Sequence, residues 1–206
     1  MSDTTSARQP LMHRERPLPV GSIGARASGW WGAWFLIISE ASIFAYLFFS
    51  YFYYSIQPQA EWVPGRHADL TYALPETAVI LAGCASAWWA NRLARRDERL
   101  PLLLALAITL LLATAFIALA FADWADKPFT FSDSAYSATY FTTTGLHLAH
   151  VVVGWIIFVM LLVWNALGYF DAIRHAPVTI GALYWYFLAA VWVAVFFVLY
   201  ITPYLT

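Results

Sequence analysis

The sequence predicts an all-α integral membrane protein, a bundle of five transmembrane helices. Two observations carry this. Of 206 residues, 62% are hydrophobic and only 11% are charged, whereas average globular chains are roughly a quarter charged. The apolar residues also fall in blocks, and spanning the ~30 Å hydrocarbon layer takes about 20 helical residues. Five blocks qualify: about Trp30 to Ile56, Leu74 to Leu93, Leu100 to Ala122, Ala138 to Leu167 and Thr179 to Thr202. The second is the weakest, because its strictly apolar part ends at Ala90.

The breaks between blocks carry loop chemistry. Gln57-Pro58 through Pro64-Gly65 follows the first block and Asp126-Lys127-Pro128 the third. Such polar, Pro-bearing backbone does not survive in lipid. Residues 1–28 hold Pro10, Pro17, Pro19 and four arginines without the apolar core of a cleaved signal, and read as a flexible cytoplasmic tail ahead of a membrane domain over 29–206. Alternating loops put Arg8, Arg14, Arg16, Arg26, Arg92, Arg95, Arg96, Arg99 and Arg174 on one side, and Arg66 and Lys127 on the other. That bias sets the N-terminus inside and the C-terminus outside. Trp30, Trp31, Tyr53, Tyr54, Trp62, Trp124 and Tyr204 suit the interfacial belt.

Several function classes are excluded by what the chain holds. A net charge of −1 gives no electrostatic case for nucleic acid. The single Cys84 cannot form an intramolecular disulfide or a thiolate metal site. There is no Gly-rich phosphate loop, no Ser or Cys nucleophile beside a base, no Cys-x-x-Cys-His and no internal repeat of the transporter kind.

Ionisable residues inside spans are the places to look for function. Glu40 lies about ten residues into the first span, roughly 15 Å deep at 1.5 Å per residue. With no cation in its own helix, desolvation is expected to keep this acid neutral. It is either a functional carboxyl or interhelical packing glue. Glu76 follows Pro75 at a helix start, where carboxylates are favoured for ordinary capping reasons. Asp123 sits where the third span leaves the membrane and reads as an interfacial anchor. His147 and His150 share a face of the fourth span. Imidazole is a common metal ligand, but His13, His67 and His175 fall in the tail or loops, so no shell completes a metal site. Interhelical or headgroup hydrogen bonding is the favoured reading of the pair.

Three segments resemble subunit III of the haem-copper respiratory oxidases, the cytochrome c and quinol oxidases. Trp34-Phe-Leu-Ile-Ile-Ser-Glu40, with the aromatic run to Tyr54, is similar to the family's Ser-Glu helix and its buried glutamate. Thr144-Gly-Leu-His147-Leu-Ala-His150-Val151, continuing to Gly154, is similar to Thr-Gly-x-His-x-x-His-Val-x-x-Gly. Tyr184-Trp185 with Phe187, Val191 and Trp192 is similar to the closing helix, although Tyr186 stands where the family usually has His and Ala189 where it has Asp. Asp123-Trp124 resembles an acidic-aromatic pair of the family, and Glu76-Thr77 leans toward the quinol-oxidase version.

The resemblance runs from about Trp34 to Ile201 and includes the family's five-span form. It implies a non-catalytic subunit in aerobic respiration, with no cofactor of its own. Haem and copper would lie in the partner subunits I and II of a proton-pumping oxidase. This subunit would bind phospholipid and support proton uptake, with Glu40 as the buried carboxyl and Glu76, Asp123, His147, His150, Tyr184, Trp185 and Trp192 as polar intramembrane or lipid-interface residues. The membrane expected is a bacterial inner (plasma) membrane, crossed several times. Two alternatives are an accessory protein of nitric-oxide reductase and an unrelated small membrane carrier.

Overall fold

The computed structural model describes residues 28–57, 69–96, 98–170 and 174–204. The expected tail over residues 1–28 lies outside them apart from Ser28, as do Trp62, Arg66 and His67. Five long helices follow one another: α1 (Ser28–Ser55), α2 (Ala73–Ala94), α3 (Arg99–Asp126), α4 (Ala135–Ala166) and α5 (Ala176–Phe196). The last passes into a π-turn over Phe197–Ile201 and a 3-10 turn over Thr202–Tyr204.

Local chemistry explains several ends. α4 starts with a reciprocal cap, in which Ser137 N donates to Ser134 Oγ and Ser134 N to Ser137 Oγ, satisfying two backbone donors that a helix start leaves open. It ends in a Schellman motif. Gly168 N donates to Asn165 O and Tyr169 N to Trp164 O, with Gly168 at φ 77°, a left-handed conformation that costs glycine nothing. Arg99 packs its guanidinium over that glycine, and a Cβ there would meet Nη2 at 1.5 Å. Pro177 sits in the first turn of α5, where its missing N–H loses no bond. Pro75 lies at the third residue of α2, not its first as the sequence implied, since the helix begins at Ala73.

α5 is the hub of the bundle, packing on α2, α4 and α1. α2 lies most extensively against α3, α3 against α4, and α1 leans on α4 and α5. Small residues let the backbones approach, as they do generally in membrane bundles. A Cβ at Gly83 of α2 would fall 2.6 Å from Trp185 Nε1, and one at Gly154 of α4 would fall 2.9 Å from Leu188 Cδ1.

The structure refines the expectation of five crossings. Four described helices are long and apolar enough to cross a membrane: α1, α3, α4 and α5 with its terminal turns. α2 has 22 residues, but it falls short by composition, because Glu76, Ser86, Asn91 and Arg92 dilute it.

Candidate functional site

Glu40 and His150 meet across helices. Near the middle of α1, the neighbouring hydroxyls of Ser39 and Ser42 donate to their own helix, at Leu36 O (2.8 Å) and Ser39 O (2.6 Å). The Glu40 carboxyl instead reaches α4, with Oε2 2.9 Å from His150 Nε2. His150 Nδ1 lies 2.7 Å from Leu146 O. A carbonyl can only accept, so Nδ1 carries a proton, and Nε2 and Oε2 share one more. Whether written as acid with imidazole or carboxylate with imidazolium, the pair is net neutral. A net-neutral pair costs less among apolar helices than a bare charge would. The lone acid expected from α1 alone is thus a partnered one. Tyr184 donates to His150 O at 3.3 Å, and the Phe44 ring lies 5.3 Å from the imidazole.

His147, one turn earlier, does something different. It is 1% exposed, and its Nε2 donates to Leu188 O of α5 at 3.1 Å. Phe116 and Trp192 lie 5.5 and 5.2 Å from its ring. The two histidines therefore face different helices and do not converge on a common point. Trp192 Nε1 donates to Thr77 Oγ1 of α2 at 2.9 Å. Trp185, fully buried, aims Nε1 at Ile80 O over a long 3.4 Å and packs edge-on against Phe158. Tyr184, Trp185 and Trp192 thus join α5 to α4 and α2.

Asp123 is drawn inward rather than left at the interface. Its carboxylate accepts from Tyr140 Oη, from Tyr200 Oη (3.2 Å) and from Lys127 Nζ (2.7 Å). The two tyrosine hydroxyls are 2.9 Å apart, and Lys127 Nζ lies 5.4 and 5.8 Å from their rings. The charge is therefore met by one cation and spread over two hydroxyls. Tyr200 is placed by the π-turn at the end of α5, a local irregularity of the kind often found at functional positions. Glu76 is likewise no surface cap. It is 1% exposed and lines an interior cavity with Asp123, His147 and Tyr200.

Of the eight residues singled out from sequence, Glu40 pairs with His150, while Glu76, Asp123, His147 and Trp192 surround one interior region. Tyr140 and Tyr200 were missed, and Thr77 was noted only as the neighbour of Glu76. Tyr140 and Tyr200 are 60 positions apart and carry no local motif, so only their place on apolar helices could have flagged them. Among the described residues no group of three or more His, Cys, Asp or Glu is arranged to hold a metal. The chemistry on offer is proton sharing and interhelical hydrogen bonding.

The profile of the family described as cytochrome c oxidase subunit III matches residues 25–204. Among relatives, the cytochrome c oxidase subunit 3 of Pongo pygmaeus is 32% identical over 177 residues, covering 82% of this chain and 68% of that protein. Those of Branchiostoma floridae and Artemia franciscana are each 30% identical, covering 80% and 82% of this chain and 65% and 67% of theirs. These relatives come from animals, which overturns the expectation of a bacterial plasma membrane. Hydropathy and charge bias report that a chain crosses a bilayer, not which bilayer, so the sequence reading had no physical basis for that choice. With the profile spanning the whole of α1 to α5 and the terminal turns, the chain belongs to the cytochrome c oxidase subunit III family.

Proposed function

We propose that the chain is a non-catalytic subunit of a haem-copper terminal oxidase, seated against the catalytic subunit I in a complex that includes subunit II. Haem and copper belong to those partners, and this chain stabilises subunit I, binds phospholipid and supports its proton uptake. All five helices cross the membrane in this reading, α2 being shielded from lipid on its polar side by α3 and α5. The observation that carries the proposal is the Glu40–His150 bond. It fastens together two of the three segments on which the likeness to the family rests, the one holding Ser39-Glu40 and the one from Thr144 to His150.

A pocket at the C-terminal end of α2 supports the lipid role. It has ≈ 380 Å³ of space and is lined by Trp88, Asn91, Arg92, Arg95 and Arg96. Guanidinium groups match phosphate oxygens bidentately, and Trp88, with Arg92 5.6 Å over its ring, offers an apolar wall for the first acyl carbons.

Affinity purification in mild detergent tests the core of the proposal. A co-purifying haem spectrum, lost when the chain is deleted or destabilised, is the expected result. Recovery of the chain without any haem-bearing partner would overturn it.

A further inference from the structure

Glu76 Oε2 and His147 Nδ1 are both buried and without a hydrogen-bond partner in the protein, and both residues line the same interior cavity between α2, α3, α4 and α5. Buried polar atoms are nearly always satisfied, by protein or by ordered water. The remaining polar groups of the lining are already engaged. Asp123 accepts from Lys127, Tyr140 and Tyr200, and Thr144 Oγ1 accepts from Trp124 Nε1 at 3.1 Å while donating to Tyr140 O at 2.8 Å.

We propose that this cavity is a binding site for a single structural water that bridges Glu76 of α2 to His147 of α4. Size limits the occupant. The space open to a water's centre is ≈ 10 Å³, and a cavity needs about 10–15 Å³ by that measure to hold one water. An organic ligand or a hydrated ion does not fit. The hydrogen-bond roles follow from the imidazole. Because Nε2–H donates to Leu188 O, Nδ1 of the neutral ring offers only a lone pair. A water donating one hydrogen to Nδ1 and the other to Oε2 satisfies both orphaned atoms at once. The consequence is a continuous polar tie from α2 through the water and His147 to the Leu188 carbonyl of α5. Glu76 then joins Thr77, which is bonded to Trp192, in holding α2 to its neighbours.

Hydration inside one chain is independent of the oxidase reading, so the two can fail separately. The test is solid-state NMR of the full chain in lipid bilayers with 15N-labelled histidine, measuring magnetisation transfer from water protons to the His147 ring, with His147→Gln to assign the signal. A protonated Nε2, an unprotonated Nδ1 and a clear water transfer are expected. Glu76→Gln should retain the transfer, and Glu76→Met should reduce it several-fold while the His150 signals hold their wild-type positions as the check on folding. If Glu76→Met shifts the His150 signals, the wild-type and Glu76→Gln spectra decide by themselves. A dry Nδ1 in the wild-type chain, whether bare or bonded directly to Glu76, overturns the proposal, as does a transfer unchanged in a folded Glu76→Met.

Discussion

Helices α1 and α2 make opposite uses of the bundle. α1 is apolar enough to cross a membrane and α2 is not, yet α2 is the better buried. Nine of its 22 residues are buried, among them Ala73, Ile80, Gly83, Ala87 and Ala90. On α1, Phe44 and Tyr51 are buried, while Trp31, Phe35, Ile38, Tyr46, Phe49 and Tyr53 stand half or more exposed. Hydropathy therefore reports which face a helix shows to lipid, not how firmly it is held. In lipid, apolar side chains gain little by leaving one hydrocarbon for another, and association rests on close packing and polar contacts. α2 has both. Ser86 donates to Ala105 O and accepts from Thr109 Oγ1, each at 2.9 Å, and Thr179 donates to Asn91 at 2.8 Å.

The same substitution on the two helices should therefore have very different effects. Gly83 lies against the indole of Trp185, and a Cβ there would meet three ring atoms within 2.9 Å. A flat, buried ring cannot step aside as a flexible chain end would. Gly83→Leu should cost about 1–3 kcal/mol or more by overpacking, read as a lower midpoint in denaturing-detergent titration. A Cβ added at Gly32 on α1 would meet nothing within 4 Å, so Gly32→Leu should leave that midpoint within error. Equal effects would mean that α1 is packed as tightly as α2.

Thr77→Val comes next. It keeps the shape of the side chain but takes the acceptor from Trp192 Nε1, and leaving a buried donor unsatisfied costs about 1–3 kcal/mol. Trp192→Phe made with Thr77→Val should cost less than the sum of the two single changes, because the pair acts as one contact. Additive losses would separate Trp192 from Thr77 and weaken the polar account of α2.

Much of the fold was legible from composition alone, because each of the five apolar blocks became a helix. Boundaries erred both ways: α5 proper stops at Phe196 rather than Thr202, giving way to the π-turn, while other ends run past the apolar block. α4 begins at Ala135 rather than Ala138 and α3 runs to Asp126 rather than Ala122, since caps and turned-in polar residues extend helices beyond their apolar cores. Pairings were not legible. Glu40 and His150 are 110 positions apart, and Asp123 and Tyr200 are 77 apart. Neither hydropathy nor spacing specifies which helix a polar residue will face once the bundle closes. The i to i+3 spacing of His147 and His150 even misled slightly, because at 3.6 residues per turn it leaves a difference of about 60° in direction, enough to send one ring to α5 and the other to α1.

On α1 the corresponding polar tie is Glu40–His150, and its removal should matter less than the loss of the α2 contacts. Interhelical polar contacts in membranes average about 0.6 kcal/mol and reach about 1.7. Glu40→Ala should fall in that range and should loosen α1 from α4, raising the cleavage of α1 by protease in mild detergent. Glu40→Gln preserves a donor and an acceptor, so it should lie closer to the parent protein. A larger loss for Gln than for Ala would show that the shared proton itself, rather than the bond, holds α1 in place.

The smallest effect lies at the approach to α2, where Asp69 organises the chain ahead of the helix. Its Oδ1 accepts from Thr71 Oγ1 at 2.6 Å and from Thr71 N at 2.9 Å. These bonds favour the ionised form and hold the carboxyl below its ordinary value, the side-chain bond having the larger influence and the backbone bond the next. A depressed carboxyl contributes fully above its unfolded value, and the contribution is lost as the pH falls through the lower folded value. Asp69 is almost wholly in solvent, so the gain is small and screened by salt. Acidification below the ordinary aspartate range should speed amide hydrogen exchange at Thr71, after correction for the intrinsic rate, while leaving the buried Ile80 and Gly83 amides unchanged. Asp69→Asn should reproduce part of that local change at neutral pH. If acid instead opened α2 as a whole, the helix would depend on its exposed lead-in more than on the contacts along its buried face, and the contrast with α1 would fail.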